Sequence, residues 1–278
     1  MITNDEGKST MDAYLNETDF ALLEKDKYTF AVLDRILRKE CALIRTDHRD
    51  LIVCHSDRQH PLWIWTSDGC PDEVKEKAWQ IVSQERFFED GFRINLKYDL
   101  ADYLTRRAKE HGIALKTYMQ MMAYDCPVVI KPEKTADGGI FPITPETVEE
   151  LMPLYEGFRE EENEPEQTHE ESVAHVLDQL DIRPFFVWKN AEGVVVACCN
   201  YRLNQGLGSI GFVYTRPEYR RRHYAQNMVY QTAKKLSDMG YMPMLYTDEN
   251  YPASNACYQK IEFTLRGRLC TIGADNEK

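Results

Sequence analysis

Residues Ser209–Ala225 read SIGFVYTRPEYRRRHYA. The opening half has the composition of a buried strand, with Ile210, Phe212, Val213 and Tyr214 all β-branched or aromatic. Pro217 cannot donate to a ladder, so the strand is expected to end at or before it. From Tyr219 the apolar period changes. Ala225, Met228, Val229, Thr232, Leu236 and Met239 recur at helical spacing, and Gly240 supplies the stop. Arg220–Tyr224 therefore fall where a strand gives way to a helix. The first amide groups of a helix have no partner inside it, and the helix dipole adds partial positive charge there. Arg220, Arg221 and Arg222 add more. In physical terms this is a cradle for a pyrophosphate.

The same segment resembles the acyl-coenzyme A loop of the GNAT acetyltransferase superfamily, which has the form Arg/Gln-x-x-Gly-x-Gly/Ala. Arg220 takes the first position and Ala225 the last, while His223 stands where the family has Gly. Downstream, YPASNACYQKIEF (Tyr251–Phe263) is similar to the second signature of that family, Asn-Pro-x-Ser-Asn-x-x-Tyr-x-Lys-x-Gly-Phe. Ser254, Asn255, Tyr258, Lys260 and Phe263 match; Tyr251 replaces the Asn and Glu262 the Gly. Two signatures in the right order are far more specific than one. The resemblance covers the C-terminal half. It implies an α/β (α+β) fold with a mixed, largely antiparallel GNAT-type sheet flanked by helices. It also implies acetyl-coenzyme A (acetyl-CoA) as co-substrate.

Length and charge narrow the field. The chain has 278 residues, enough for one or two domains. Its net charge is −12, and the pI is about 5.1, which argues against nucleic-acid or anionic-membrane partners. No apolar run approaches the roughly 20 residues that span a bilayer. The polar, acidic start, MITNDEGKSTMDAYLNETD, does not have the pattern of a signal peptide, so a cytoplasmic location is expected. The cysteines are Cys41, Cys54, Cys70, Cys126, Cys198, Cys199, Cys257 and Cys270, with no C-x-x-C pair. Buried free thiols are the expectation, rather than a metal site or a disulfide framework. Cys198 and Cys199, adjacent on a strand, should point to opposite faces.

Outward from the central stretch, Pro184–Lys189, Val194–Tyr201 and Ser209–Tyr214 read as three antiparallel strands joined by short turns. The helix after Arg220 then crosses to a parallel strand at Met244–Thr247. A short helix at Ser254–Lys260 leads to final strands over Phe263–Ile272. Upstream, Thr144 and Pro145 open a helix with Leu151, Leu154, Tyr155 and Phe158 inward. A second helix over Ser172–Leu180 has Val173, Val176, Leu177 and Leu180 inward. The acidic run between them, Arg159–Glu171, reads either as a solvated loop or as a lure for a cationic amine. Lys131–Gly139 (KPEKTADGG) reads as a linker. It would divide an N-terminal α/β domain, residues 1–130, from a GNAT domain, residues 140–278.

The N-terminal half alternates helix and strand. Residues 1–18 look frayed, and a helix over Asp19–Glu40 is interrupted at Tyr28–Thr29. A hairpin follows at Asp50–Ser56 and Pro61–Thr66, then a helix from Asp72, a strand over Phe92–Lys97, a helix over Leu100–His111 and a strand over Leu115–Tyr124. This half is either a degenerate GNAT-like unit or an unrelated α/β extension.

Acyl transfer needs an amine held in line, donors for the developing oxyanion, and an acid for the leaving thiolate. The resemblance puts backbone groups of Phe212, Val213 and Tyr214 against the acetyl and pantetheine parts of the cofactor. It puts Arg220, Arg221, Arg222, His223, Tyr224 and Ala225 at the pyrophosphate. It makes Tyr258 the acid that protonates the sulfur. Asn255 braces its helix or touches the cofactor, and Asn250 stands one residue before the missing Asn. Asp248 and Glu249 follow the strand beside the acceptor and are its candidate substrate contacts; a cap or surface role is the alternative. The function implied is acetyl-CoA-dependent N-acetyl transfer to a small-molecule or peptide amine, by direct attack in a ternary complex. The changes at His223, Tyr251 and Glu262 motivate the alternative, a catalytically impaired GNAT-fold binding or regulatory module. Pairing through a sheet edge or the final strands would give a homodimer.

Overall fold

The computed structural model describes residues 11–275, and the chain divides into two compact units. One comprises the residues up to Met122 together with those from Gly267 onward; the other is Ala123–Arg266. The stretch 131–139, expected to separate two domains, thus lies inside the second unit, and the end of the chain belongs to the first.

The first unit contains α1 (Glu17–Leu23), α2 (Ala31–Leu37), β1 (Leu43–Thr46), β2 (Leu51–His55), β3 (Leu62–Thr66), α3 (Asp72–Gln84), β4 (Ile94–Leu96), α4 (Tyr98–Glu110) and most of β5 (Leu115–Asp125). The helix expected over residues 19–40 is two helices, with the break at the anticipated Tyr28–Thr29. Much of the stretch expected to fray, residues 1–10, lies outside the described residues. Residues 11–16 are not frayed. Asp12 bridges to Thr46 of β1, and Asn16 caps α1, its side chain accepting from the Thr18 amide at 2.8 Å. His48, just past β1, is clasped between two carboxylates. Nδ1 lies 2.8 Å from Asp19 and Nε2 lies 3.0 Å from Asp12. Asp19 is fully buried and also accepts from the Thr46 hydroxyl at 2.6 Å.

The expected hairpin of β2 and β3 is antiparallel, and the unexpected β1 adds to its edge. α3 then crosses over to place β4 parallel to β3. Val74, Ala78, Trp79 and Val82 of α3 and Leu100, Leu104 and Ala108 of α4 bury their stripes on Leu51, Val53, Leu62 and Ile64. Their i, i+4 spacing is what the sequence displays.

The second unit contains β6 (Gly139–Pro142), α5 (Met152–Glu161), α6 (His169–Gln179), β7 (Phe185–Lys189), β8 (Val195–Asn204), β9 (Leu207–Thr215), α7 (Tyr224–Asp238), β10 (Met242–Asp248) and α8 (Pro252–Gln259). One long strand, β11 (Thr264–Ala274), takes the place of the several final strands expected; its larger part belongs to the first unit and pairs antiparallel with β4.

The strand order in the second unit is β10-β9-β8-β7-β6, with β9 and β10 parallel and the other neighbours antiparallel. This is the mixed, mostly antiparallel sheet that the central stretch predicted. Thr144 opens a short 3-10 turn, Pro145–Glu150, rather than an α-helix. α5 and α6 cover one face over Phe185, Val187, Cys198 and Tyr214. α7 covers the other, where Cys199 Sγ meets Thr232 Oγ1 at 3.3 Å. The two adjacent cysteines therefore do point to opposite faces. Two predicted inward residues face solvent instead: Leu177 on α6 and Met239 at the end of α7 are exposed.

Among the described residues no helix is long and apolar enough to cross a membrane.

Candidate active site

The site begins where a ladder stops. β9 and β10 pair in parallel from Leu207 with Met242 to Ile210 with Leu245. Both strands continue, to Thr215 and Asp248, without further pairing between them. A notch therefore opens between Gly211–Thr215 and Tyr246–Asp248, where the facing backbone groups of the two strands no longer pair with each other. Buried backbone groups left in that state are costly, so such a notch favours an extended polar ligand.

The cause of the divergence is local. On its other side β9 pairs with β8, Asn200 opposite Gly211 and Cys198 opposite Tyr214. Phe212 and Val213 together oppose Cys199 alone, which is a bulge. Phe212 has φ +54°, a strained value for an aromatic residue. Its ring is held by packing: it stacks on Tyr155 with centroids 4.9 Å apart and lies 4.0 Å from the Phe158 centroid and 5.4 Å from that of Phe185. The Phe212 side chain is thus partly buried against the core formed by these rings. Tyr214 is likewise buried, with its hydroxyl against Gly157; a Cβ at Gly157 would lie 2.8 Å from that oxygen.

At the end of the notch, β9 turns through a short 3-10 segment, Pro217–Tyr219, into the arginine loop. The three arginines have different partners. Arg220 Nε donates to the Thr215 carbonyl at 3.0 Å, and its guanidinium pairs with Glu161 at the end of α5. It therefore fastens the loop. Arg221 is exposed with φ +65°, and Arg222 is exposed with its guanidinium 5.3 Å above the Tyr219 ring. His223 is the N-cap residue of α7, with φ +68° and ψ 7°, and no side chain caps the helix. His223 thus adopts the left-handed backbone that favours glycine. Glu262, the other residue standing in for a motif glycine, behaves in the same way, with φ +66°. The leading amides of α7 stay uncapped behind Arg221 and Arg222, as an anion cradle requires.

Tyr224 opens α7 but turns away from the cradle. It is buried, and its hydroxyl donates to Asp137 Oδ1 at 2.6 Å. Burial, then this carboxylate, pushes the phenol up to about 12. Asp137 Oδ2 accepts from the Ala191 amide at 2.9 Å, and its carbonyl accepts from Trp188 Nε1 at 2.7 Å. Asn227 of α7 donates to the Lys134 carbonyl at 3.0 Å. The segment that looked like a linker is therefore bound down onto the start of α7. Polar composition alone gave no sign of this.

The second motif closes the far wall. Asn255 on α8 is 8% exposed, and its Nδ2 donates to the carbonyls of Asp248 at 3.1 Å and Glu249 at 3.4 Å. It braces the turn after β10. Its Oδ1 is buried without a hydrogen-bond partner among the described residues, an acceptor a ligand amide could use. Asn250 folds back onto Asp248, donating to Oδ1 from its amide at 2.9 Å and from Nδ2 at 3.0 Å. Tyr258 is buried on α8 beside Phe263, with centroids 6.2 Å apart. Burial, then Cys257 and Cys199, holds its phenol well above the ordinary value.

Carboxylates gather near this wall. Glu162, at the end of α5, has its pKa raised by burial and then by Glu161, Asp248 and Glu164. The phenol of Tyr251, the N-cap residue of α8, is raised by Glu162, burial, Asp248 and Glu161. The acidic run after α5 is thus in part drawn toward Asp248; as bare sequence, its length and polarity matched a solvated loop. Glu249 is exposed on the same turn. Among the described residues no cluster of His, Cys, Asp and Glu is arranged to hold a metal ion.

Residues 146–263, which include both motifs, match the model of the acetyltransferase (GNAT) family. No curated protein matches the sequence significantly. Several solved structures share the fold along most of the chain. A Drosophila protein is 12% identical, with a TM-score of 0.64, over 94% of this chain and 97% of its own. The GCN5-related N-acetyltransferase from Kribbella flavida is 13% identical, with a TM-score of 0.62, over 91% of this chain and 96% of its own. The GCN5-related N-acetyltransferase from Sphaerobacter thermophilus is 14% identical, with a TM-score of 0.61, over 95% of each chain. At such identities the likeness is one of fold.

Proposed function

We propose that this protein, whose residues 146–263 form a GNAT domain, moves an acetyl group from acetyl-CoA to a primary amine by direct attack in a ternary complex. One observation carries the reading: the β9–β10 ladder stops at Ile210 and Leu245, and the notch it leaves ends at the uncapped start of α7. A ligand that fits must offer amide groups along an extended arm and a diphosphate at one end. Acetyl-CoA has that form, and when bound it supplies an activated carbonyl and a thiol leaving group.

In this reading the backbone of Phe212, Val213 and Tyr214 aligns the arm and receives the carbonyl oxygen as it gains charge. The amides from Tyr224 and Ala225 onward, with Arg221, Arg222 and His223, take the phosphates. Arg220 acts indirectly, by fixing the loop to Glu161. Tyr258, kept protonated by its burial, gives its proton to the departing sulfur. The carboxylates of Glu161, Glu162 and Asp248 attract a protonated amine, and Glu162 accepts the proton that the amine loses before attack. Asn255 and Asn250 shape the turn that presents Asp248.

The test is calorimetric titration of acetyl-CoA into the whole protein, with Arg221→Ala alongside. The expected result is micromolar binding that weakens in the variant, followed by thiol release in a screen of amines. Absence of binding by the wild type overturns the proposal. The side chain of His223 at the cradle favours a second reading, a GNAT-fold binding module without turnover. Tight binding with no thiol release from any amine would select it.

A further inference from the structure

Beyond acyl transfer, we propose that Cys41 and Cys54 in the first unit are a reactive thiol pair that a hydroperoxide closes into a disulfide. The two sulfurs lie 3.5 Å apart, with the Cys54 thiol directed at Cys41 Sγ. The two positions differ in support. Cys54 is on β2, fully buried and paired across the ladder with Ile44 of β1. Cys41 is in the loop entering β1, and its sulfur lies 3.2 Å from the Ile36 carbonyl and 3.4 Å from that of Lys39.

The two thiols differ in access, and the difference assigns their roles. Cys41 is partly exposed and lines a cavity of about 460 Å³, together with Arg45, His55, Arg58, Glu85 and Asp90. A peroxide reaches Cys41 through that cavity. Cys54 does not line the cavity. Burial, then Cys41, raises its pKa, so it waits as the protonated partner. A surface thiol backed by a buried one is the arrangement of a peroxide-reactive site with its resolving cysteine.

The steps balance. The Cys41 thiolate attacks the hydroxyl oxygen of the peroxide, the O–O bond breaks to give the sulfenic acid, and the leaving hydroxide or alkoxide takes up the proton that the Cys41 thiol released. Cys54 then attacks the Cys41 sulfur. The S–OH bond breaks, and the leaving hydroxide takes the Cys54 proton as water. Two thiols are oxidised by two electrons, and one hydroperoxide is reduced to water and an alcohol, or to two waters. A disulfide needs an S–S separation near 2.05 Å, so the sulfurs must close by about 1.5 Å. Cys41, on a loop, has the freedom to do so. The bond would fasten the segment between α2 and β1 onto β2.

The experiment exposes the reduced full-length chain to hydrogen peroxide, blocks remaining thiols after unfolding, and maps the peptides by mass spectrometry. The expected product has lost two hydrogens, links the Cys41 and Cys54 peptides, and is reversed by dithiothreitol. Cys41→Ser and Cys54→Ala should each abolish it, and Cys257→Ser should leave it intact. The readout is made on the wild type, so a variant that folds poorly does not decide the matter. A link between other cysteines overturns the proposal. So does a Cys41 that is oxidised to the sulfinic acid while Cys54 stays a free thiol, or a full set of free thiols at peroxide levels that oxidise free cysteine.

Discussion

The hydroxyl of Tyr224 donates to Oδ1 of Asp137 at 2.6 Å, and this contact ties the first residue of α7 to the strip of chain that precedes β6. The strip is thereby part of the arginine loop's support. Asp137→Ala removes the acceptor for Tyr224 and for the Ala191 amide together. The expected outcome is a several-fold weaker affinity for acetyl-CoA with kcat nearly unchanged, since Asp137 touches no reacting group. Asp137→Asn, which keeps one oxygen, should restore part of it. Isothermal titration beside steady-state kinetics separates the two quantities. An equal fall in kcat would contradict a purely supporting role.

Gly138, next in the chain, has φ +81°, and a Cβ there would lie 1.9 Å from the Lys189 carbonyl oxygen. Backbone on a paired strand cannot retreat by that much. Gly138→Ala should destabilise the protein by at least about 2 kcal/mol, from strain and clash together. Chemical denaturation measures it. A change below half of that would mean that the strip shifts as a whole.

Tyr258 and Glu162 should separate in their pH signatures. Tyr258→Phe removes the proposed acid, and kcat is expected to fall about a hundredfold while KM for acetyl-CoA holds. Glu162 has a raised pKa, so wild-type activity should climb as pH rises through that raised value, when the carboxylate forms. Glu162→Gln should lower kcat and erase that acidic limb. A variant with the wild-type profile would remove Glu162 from the chemistry.

His48 couples the fold of the first unit to pH. Burial lowers its pKa, but hydrogen bonds and charge from Asp19 and Asp12 outweigh that and leave it raised. The Tyr14 ring lies 5.4 Å away, and Asp47 and Arg49 flank His48 in the chain. A group raised in the folded state favours folding below its unfolded value, about 6.5. That contribution fades as pH climbs through the higher folded value. His48→Gln should therefore lower Tm most near pH 6 and progressively less toward pH 9. Melting curves of both proteins across that range decide it, and a constant difference would contradict the linkage.

The central stretch was legible because three separate signals coincide in it. β-Rich composition sets β9, Pro217 ends it, and the spacing of Met228, Val229, Thr232 and Leu236 sets α7. β1 and β6 were not legible: four residues each, LIRT and GIFP, are too short for a period-two pattern to register. The bulge at Phe212 escaped because an aromatic residue at positive φ contradicts local preference. It is fixed by Tyr155, Phe158 and Phe185, which come from other elements. His223 shows the reverse error. Its loss of glycine motivated the reading of an impaired module, yet His223 itself adopts the left-handed backbone that favours glycine. Asp137 and Glu161 were hidden for a simpler reason, since only their distant partners, Tyr224 and Arg220, give them a role.

The ladder that stops at Ile210 and Leu245 also sets a clock. Amide protons facing the notch from Gly211–Thr215 lack a strand to shield them, so they should trade for deuterium quickly, while their neighbours bonded to β8 exchange slowly. The strand would thus carry an alternating isotope pattern along a few residues. Whatever fills the notch should erase that alternation, and the erased positions would trace the occupant's path one amide at a time.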